Sequence, residues 1–106
     1  MEPYYVYILR CRGGSLYTGI TNDVVHRMAA HLSGKGAKYT RSHPPEAVAA
    51  LWRCEDKTAA ARLEYAVKAK LTRAQKLELV AAPERIGEWL PELPGEYAAV
   101  EPPALE

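Results

Sequence analysis

Two glycines stand between two runs of strand-forming residues, and this arrangement constrains the chain more than any other feature. Residues 4 to 11, YYVYILRC, and 16 to 20, LYTGI, are rich in aromatic and β-branched side chains, which suit a pleated, half-buried surface. Between them, Arg12-Gly13-Gly14-Ser15 carries the turn residues that close a β-hairpin. The chain therefore opens with two antiparallel strands.

After the hairpin, Thr21 and Asn22 offer cap oxygens to a helix from about Asp23 to Leu32, with Val25, Met28, Ala29 and Leu32 at core spacing. His26, Arg27 and His31 fall on its other side. Residues 33 to 45, SGKGAKYTRSHPP, show no hydrophobic period and hold Lys35, Lys38 and Arg41, so they are expected to form a basic loop. A third strand is expected from Ala47 to Cys54. Asp56 or Thr58 can cap a second helix to about Leu71, burying Leu63, Ala66, Val67 and Leu71. Thr72-Arg73-Ala74-Gln75 has the form of a capping box, which predicts a separate short helix burying Leu77 and Val80. Beyond it, prolines at 83, 91, 94, 102 and 103 interrupt any long helix, although Ile86, Trp89, Leu90 and Leu93 can pack locally. The expected fold class is α+β, with a small antiparallel three-stranded sheet flanked by helices in the order ββαβαα. Residues 1–82 would form the domain, and residues 83–106 a Pro/Glu-rich tail, partly docked and then disordered.

With 106 residues there is room for one core. No apolar run approaches the roughly 20 residues that span a bilayer, and the N-terminal segment lacks the pattern of a secretory signal. A cytoplasmic location without membrane attachment is the expectation. Cys11 and Cys54 are too few and too far apart in sequence for a disulfide framework or a four-ligand zinc site, and both are expected to be reduced strand residues. The net charge of +1 conceals an uneven distribution. Residues 1 to 82 hold 13 Lys and Arg against 7 Asp and Glu, whereas residues 83 to 106 hold one Arg against 6 Glu. Such a basic body attracts a polyanion, and an acidic tail can compete for the same surface.

Val6-Tyr7-Ile8 and Tyr17-Thr18-Gly19 resemble the paired tripeptides that name the GIY-YIG nuclease superfamily. The resemblance continues through Arg27 and His31, the stretch Gly34-Lys35-Gly36-Ala37-Lys38-Tyr39-Thr40-Arg41, and Glu64 followed by Lys68, as in small stand-alone bacterial members. It covers residues 4 to about 80. Three departures accompany it. The first tripeptide begins with Val6 in place of Gly, Ile20 replaces the polar step of some excision-repair relatives, and Asn22 is the only asparagine, so the Asn that several branches carry near the domain's end is missing.

The resemblance implies hydrolysis of a phosphodiester bond in nucleic acid, DNA ahead of RNA, at a catalytic set of Tyr7, Tyr17, Arg27, His31 and Glu64. Such a reaction needs a nucleophilic water, neutralisation of phosphoryl charge and stabilisation of the leaving oxygen. Arg27 is a permanent cation with a forked donor set, and His31 follows one turn later on the same helix face. Glu64 offers a hard anionic oxygen to a divalent metal ion, Mg²⁺ or Mn²⁺, which would keep water in its other positions. By resemblance, Tyr17 activates the water and Tyr7 orients it or the phosphate. Lys35, Lys38, Tyr39, Arg41 and Lys68 are the expected nucleic-acid contacts, with Tyr39 placed to stack on an unpaired base. No zinc finger or separate helix-turn-helix is appended, so selection should follow shape rather than sequence. Taken singly, each residue has a plainer reading: strand tyrosines, a solvated arginine, a surface Glu64–Lys68 pair.

To share a site, Tyr7 and Tyr17 must lie on one face of the hairpin. A two- or four-residue loop centred on Gly13-Gly14 would pair Tyr7 with Ile20 and send Tyr17 to the opposite face. An odd loop or a bulge is therefore expected, with Gly13 or Gly14 supplying a positive φ. Two competing functions remain: a non-catalytic DNA- or RNA-binding module on the same fold, and a subunit of a repair assembly docking through Trp89, Leu90 and Leu93.

Overall fold

A computed structural model describes residues 2–105. Strands β1 (Tyr4–Cys11), β2 (Leu16–Thr21), β3 (Pro45–Cys54) and β4 (Tyr97–Val100) form one antiparallel sheet in the order β2-β1-β3-β4. The helices are α1 (Val24–Leu32), α2 (Lys38–Ser42), α3 (Lys57–Lys70), α4 (Arg73–Ala81) and the single turn α5 (Ile86–Trp89). The fold class is α+β as expected, but the sheet has four strands rather than three. The additional strand comes from the Pro/Glu-rich segment, whose prolines flank it without entering it: Tyr97-Ala98-Ala99-Val100 is free to pair with the outer edge of β3.

Alternation along β1 divides the core in two. Val6 and Ile8 face α3, α4 and α5, together with Ala50, Trp52, Leu63, Val67, Leu79, Ile86 and Leu90. Tyr7, Leu9 and Cys11 face the other way, with Val48, Leu51 and Met28 of α1. In β3 the alternation slips, since Ile8 pairs with Ala50 but Leu9 pairs with Val48. Ala49 is the extra residue of a bulge there, and it lets Val48 and Leu51 reach the same side.

The caps of α3 and α4 follow the sequence. Asp56 accepts from the Ala59 amide, and Thr72 and Gln75 form the reciprocal capping box. For α1 the cap is Asp23, which accepts from the His26 amide, rather than Thr21 or Asn22. Thr21 instead accepts from the Asp23 amide and steadies the turn into the helix. In α4 the buried residue is Leu79, while Leu77 is exposed and Val80 half-buried. The segment from Pro83 onward lies against the body. Trp52 Nε1 donates to the Pro83 carbonyl at 2.9 Å, Ile86 and Leu90 are buried, and Trp89 and Leu93 pack beside them. These residues cover the protein's own core. Cys11 and Cys54 are free and buried at strand ends, and burial pushes the Cys54 thiol up to about 11. Among the described residues no helix is long and apolar enough to cross a membrane.

Because Ile86 belongs to the principal core, Ile86→Ala should cost about 2–5 kcal/mol, the usual range for such truncations. Urea unfolding checks this; an unchanged midpoint would mean that the segment after residue 82 is not part of the cooperative unit.

Candidate active site

The hairpin register brings the two tyrosines together. Tyr7 pairs with Gly19 and Leu9 with Tyr17, and Cys11 N–H donates to the Ser15 carbonyl at 2.8 Å. The loop is thus the three residues Arg12–Gly14, an odd number, with Gly13 at φ 87° and Gly14 at φ 88°. Both glycines occupy the left-handed region that other residues enter at a cost. Tyr7 and Tyr17 accordingly share one face, their ring centroids 6.4 Å apart. Gly19 makes a second contribution. A Cβ there would overlap the Tyr7 hydroxyl and crowd the Tyr17 ring, so only glycine lets Tyr7 lean across its partner strand.

Helix α1 meets this face with polar residues. Val24 and Arg27 are half-buried and Met28 and His31 buried, whereas Val25 is 81% exposed and Leu32 44%. The expected stripe of Val25, Met28, Ala29 and Leu32 is therefore rotated. Only Met28 of that set is buried, because the helix covers a site in which Arg27 and His31 hydrogen-bond to β1. Arg27 Nε donates to Tyr7 Oη at 3.3 Å, and Tyr7 Oη lies 2.9 Å from His31 Nε2. His31 Nδ1 lies 2.8 Å from Thr40 Oγ1. Tyr17 stands edge-on to His31 at 5.8 Å between centroids.

The basic stretch after α1 is not wholly a loop, since residues 38–42 wind into α2. Lys35, Lys38 and Arg41 are exposed there as expected, and none is ion-paired among the described residues. Gly36, Ala37 and Thr40 are among its more enclosed residues. Thr40 is 1% exposed, and a Cβ on Gly36 would collide with His31 Nδ1. The Tyr39 ring is nearly parallel to that of His43, 4.2 Å away, and lies alongside Tyr17 at 5.9 Å. Reading the sequence for charge found the cations but missed Gly36, Thr40 and His43. The available signal was small and hydroxyl residues recurring within a cationic run.

From the opposite side of the sheet, α3 brings Glu64 and Lys68 to the free edge of β2. Lys68 Nζ lies 3.3 Å from Glu64 Oε2 and 5.8 Å from the Tyr17 ring centre. The site therefore has two layers. Tyr7 and His31 lie beneath, fully or almost fully shielded, while Tyr17, Arg27 and Glu64 are partly open above. Among the described residues no three His, Cys, Asp or Glu side chains cluster. Glu64 thus supplies a lone carboxylate. That donor set suits a hard cation that takes most of its ligands from water and phosphate, and it does not suit zinc, which needs three or four protein ligands.

Burial, only partly offset by Arg27, raises the Tyr7 pKa and keeps the phenol protonated. The hydrogen bond to Tyr7 holds the Arg27 guanidinium charged more firmly than usual. Burial, reinforced by Arg27, lowers the His31 pKa to about 4, so its ring is neutral at pH 7.

The GIY-YIG catalytic domain family matches residues 3–78. This chain belongs to the GIY-YIG family. It is 46% identical over 85 residues to a UPF0213 protein of Xanthomonas axonopodis, covering 80% of this chain and 82% of that one. It is 48% identical over 84 residues to a UPF0213 protein of Oceanobacillus iheyensis, covering 79% and 96%. The solution NMR structure of a UPF0213 protein from Bacillus halodurans is 51% identical, covers 74% of this chain and 83% of that one, and superposes with a TM-score of 0.49. GIY-YIG proteins are generally nucleases and typically use divalent metals, while these relatives carry only the UPF0213 designation.

The neutral buried histidine of this GIY-YIG domain makes stability depend on pH. The unfolded chain takes up a proton on His31 near pH 6.5, and the folded chain resists until about pH 4. Acidification through that window therefore favours unfolding. The contribution of His31 is complete above pH 6.5, declines down to about pH 4 and changes no further below it. Urea unfolding at a series of pH values should show this slope in the wild type and lose it in His31→Gln; equal slopes would count against a neutral buried His31.

Proposed function

We propose that the chain is a metal-dependent endonuclease that hydrolyses phosphodiester bonds in nucleic acid, with DNA as the foremost substrate and shape rather than base sequence guiding selection. The observation that carries this reading is convergence at the free edge of β2. Arg27, anchored to Tyr7, comes from one face of the sheet, Glu64 and Lys68 from the other, and Tyr17 stands between them. Phosphodiester hydrolysis needs fixed positive charge on one side of a phosphoryl group and a water-activating group on the other.

Mg²⁺ or Mn²⁺ held by Glu64 would supply Lewis acidity toward a phosphoryl oxygen and a more acidic water. The protein's residues divide the remaining work. Arg27 neutralises charge developing on the phosphoryl oxygens, its side chain pinned at Nε so that little reorganisation is needed during reaction. Tyr17, partly open to solvent, orients the attacking water. In its deprotonated form, the phenol hydrogen having gone to bulk solvent, it takes the water's proton as the new P–O bond forms, and the leaving oxygen picks up its proton from solvent as the old bond breaks. Tyr7 and His31 do not meet the substrate, since they are 0% and 2% exposed; they hold Arg27 and Tyr17 from beneath. Lys68 is paired with Glu64, and with a divalent ion on Glu64 it would be free to face the substrate backbone. Lys35, Lys38 and Arg41 extend the cationic surface along that backbone, and Tyr39, 38% exposed, offers an aromatic surface to an unpaired base.

The direct test is nicking of duplex, flapped and single-stranded DNA and RNA with Mg²⁺ or Mn²⁺. Wild type should cut, and Arg27→Ala or Glu64→Ala should lose about 10²-fold or more, the scale seen when one transition-state interaction is removed, while still binding. Wild type and variants that bind equally and never cut would replace this reading with the binding module.

A second expectation concerns salt. Replacing Lys35, Lys38 and Arg41 with Ala should weaken binding across all sequences and flatten the dependence of log K on log salt by about 0.7–0.9 for each phosphate that is no longer neutralised. An unaltered salt slope would remove these residues from the interface.

A further inference from the structure

Thr40 is almost completely shielded within a segment whose charged residues all face solvent. Its hydroxyl oxygen lies 2.9 Å from the Ala37 carbonyl oxygen and 2.8 Å from His31 Nδ1. A carbonyl has no hydrogen to give, so the single hydrogen of the hydroxyl lies toward Ala37. The contact with His31 then requires a hydrogen on Nδ1, donated to the Thr40 oxygen. The neutral ring carries one such hydrogen, which leaves Nε2 bare and able only to accept. The 2.9 Å contact from Tyr7 to Nε2 therefore uses the phenol hydrogen. That leaves the Tyr7 lone pairs free for Arg27 Nε–H. One direction of donation runs through the whole set: Arg27 to Tyr7, Tyr7 to His31, His31 to Thr40 and Thr40 to the Ala37 carbonyl.

We propose that Thr40 is a positioning residue that fixes His31 as its Nδ1–H tautomer and thereby orders the hydrogen bonds that hold Arg27 at the active site. With the other tautomer, Nε2–H would donate to the Tyr7 oxygen, and the phenol hydrogen would need a new acceptor. Its other neighbour, Arg27, has none to offer. Tyr7 and Arg27 would then meet hydrogen to hydrogen, or part. Gly36 packs against the same edge of the ring, so near that a Cβ there would collide with Nδ1. Thr40 is the one hydrogen-bond partner of Nδ1 among the described residues. The catalytic consequence rests on the nuclease reading; the tautomer does not.

The test begins with ¹⁵N NMR of the His31 ring at pH 7 in the full chain, without nucleic acid or metal. Wild type should show a protonated Nδ1 and a bare Nε2. Thr40→Val keeps the shape but removes the acceptor, and should move the hydrogen to Nε2; Thr40→Ser should restore the wild-type pattern. In nicking assays the Val variant should lose about 10–100-fold in turnover, the usual effect of an outer-layer partner, and Ser should recover it. A wild-type ring protonated on Nε2 overturns the proposal even if the Val variant fails to fold, and so does a folded Val variant that keeps Nδ1–H. The predicted tautomer together with absence of nicking from every version would overturn the nuclease reading and leave the hydrogen-bond order standing.

Discussion

Everything chemical in this protein depends on one register: residues of the first hairpin pair so that Tyr7 faces Gly19 and Leu9 faces Tyr17. Strand side chains alternate, so a shift by one residue would send Tyr17 to the face packed by α3 and leave Tyr7 alone beneath α1. Two adjacent glycines with positive φ permit the three-residue loop that avoids this. The same register places a glycine opposite Tyr7, where any side chain would displace the phenol. Gly13, Gly14 and Gly19 have no chemistry of their own, yet the geometry of the site rests on them.

The register also creates a difficulty that the remaining fold must meet. A phenol and an imidazole buried in a small domain cost free energy unless each polar atom is paired. Arg27, Tyr7, His31 and Thr40 answer one another in sequence and end on a backbone carbonyl. A network satisfied in this way is rigid, whereas a partly satisfied one would be worse than an apolar core. Rigidity beneath and solvent access above is the arrangement a site needs if its cation is to be in place before substrate arrives.

Much of this was legible in the sequence. The hairpin, its odd loop, the Asp56 cap, the Thr72-Gln75 capping box and the buried stripe of α3 each rest on local signals that the packing respects. The orientation of α1 was not legible. Periodicity favours burial of Val25, Ala29 and Leu32, but these are exposed while Arg27 is half-buried and His31 buried. Hydrophobic spacing cannot anticipate a helix whose inner face is reserved for hydrogen bonds to a tyrosine. Strand β4 was hidden differently: four residues between prolines carry too little pattern to stand out, and only the open edge of β3 gives them a partner. Leu79 and Leu77 exchanged roles in α4 because a short helix with weak amphipathicity is oriented by the core it meets.

The segment between α1 and β3 shows how one stretch can serve two purposes that composition does not separate. Its cations point outward and dominate its character as a sequence, yet Gly36, Ala37 and Thr40 enclose one edge of His31. Helix α2 has five residues, too few to be stable alone. Its posture must therefore come from its anchors: the Thr40 hydrogen bond with His31 and the Tyr39 ring against Tyr17 and His43. On the nuclease reading, a backbone drawn to Lys35, Lys38 and Arg41 pulls on the same short helix that positions the imidazole. Substrate binding and alignment of Arg27 are then mechanically linked through six residues, Lys35 to Thr40, in a segment that charge alone would describe as a solvated loop.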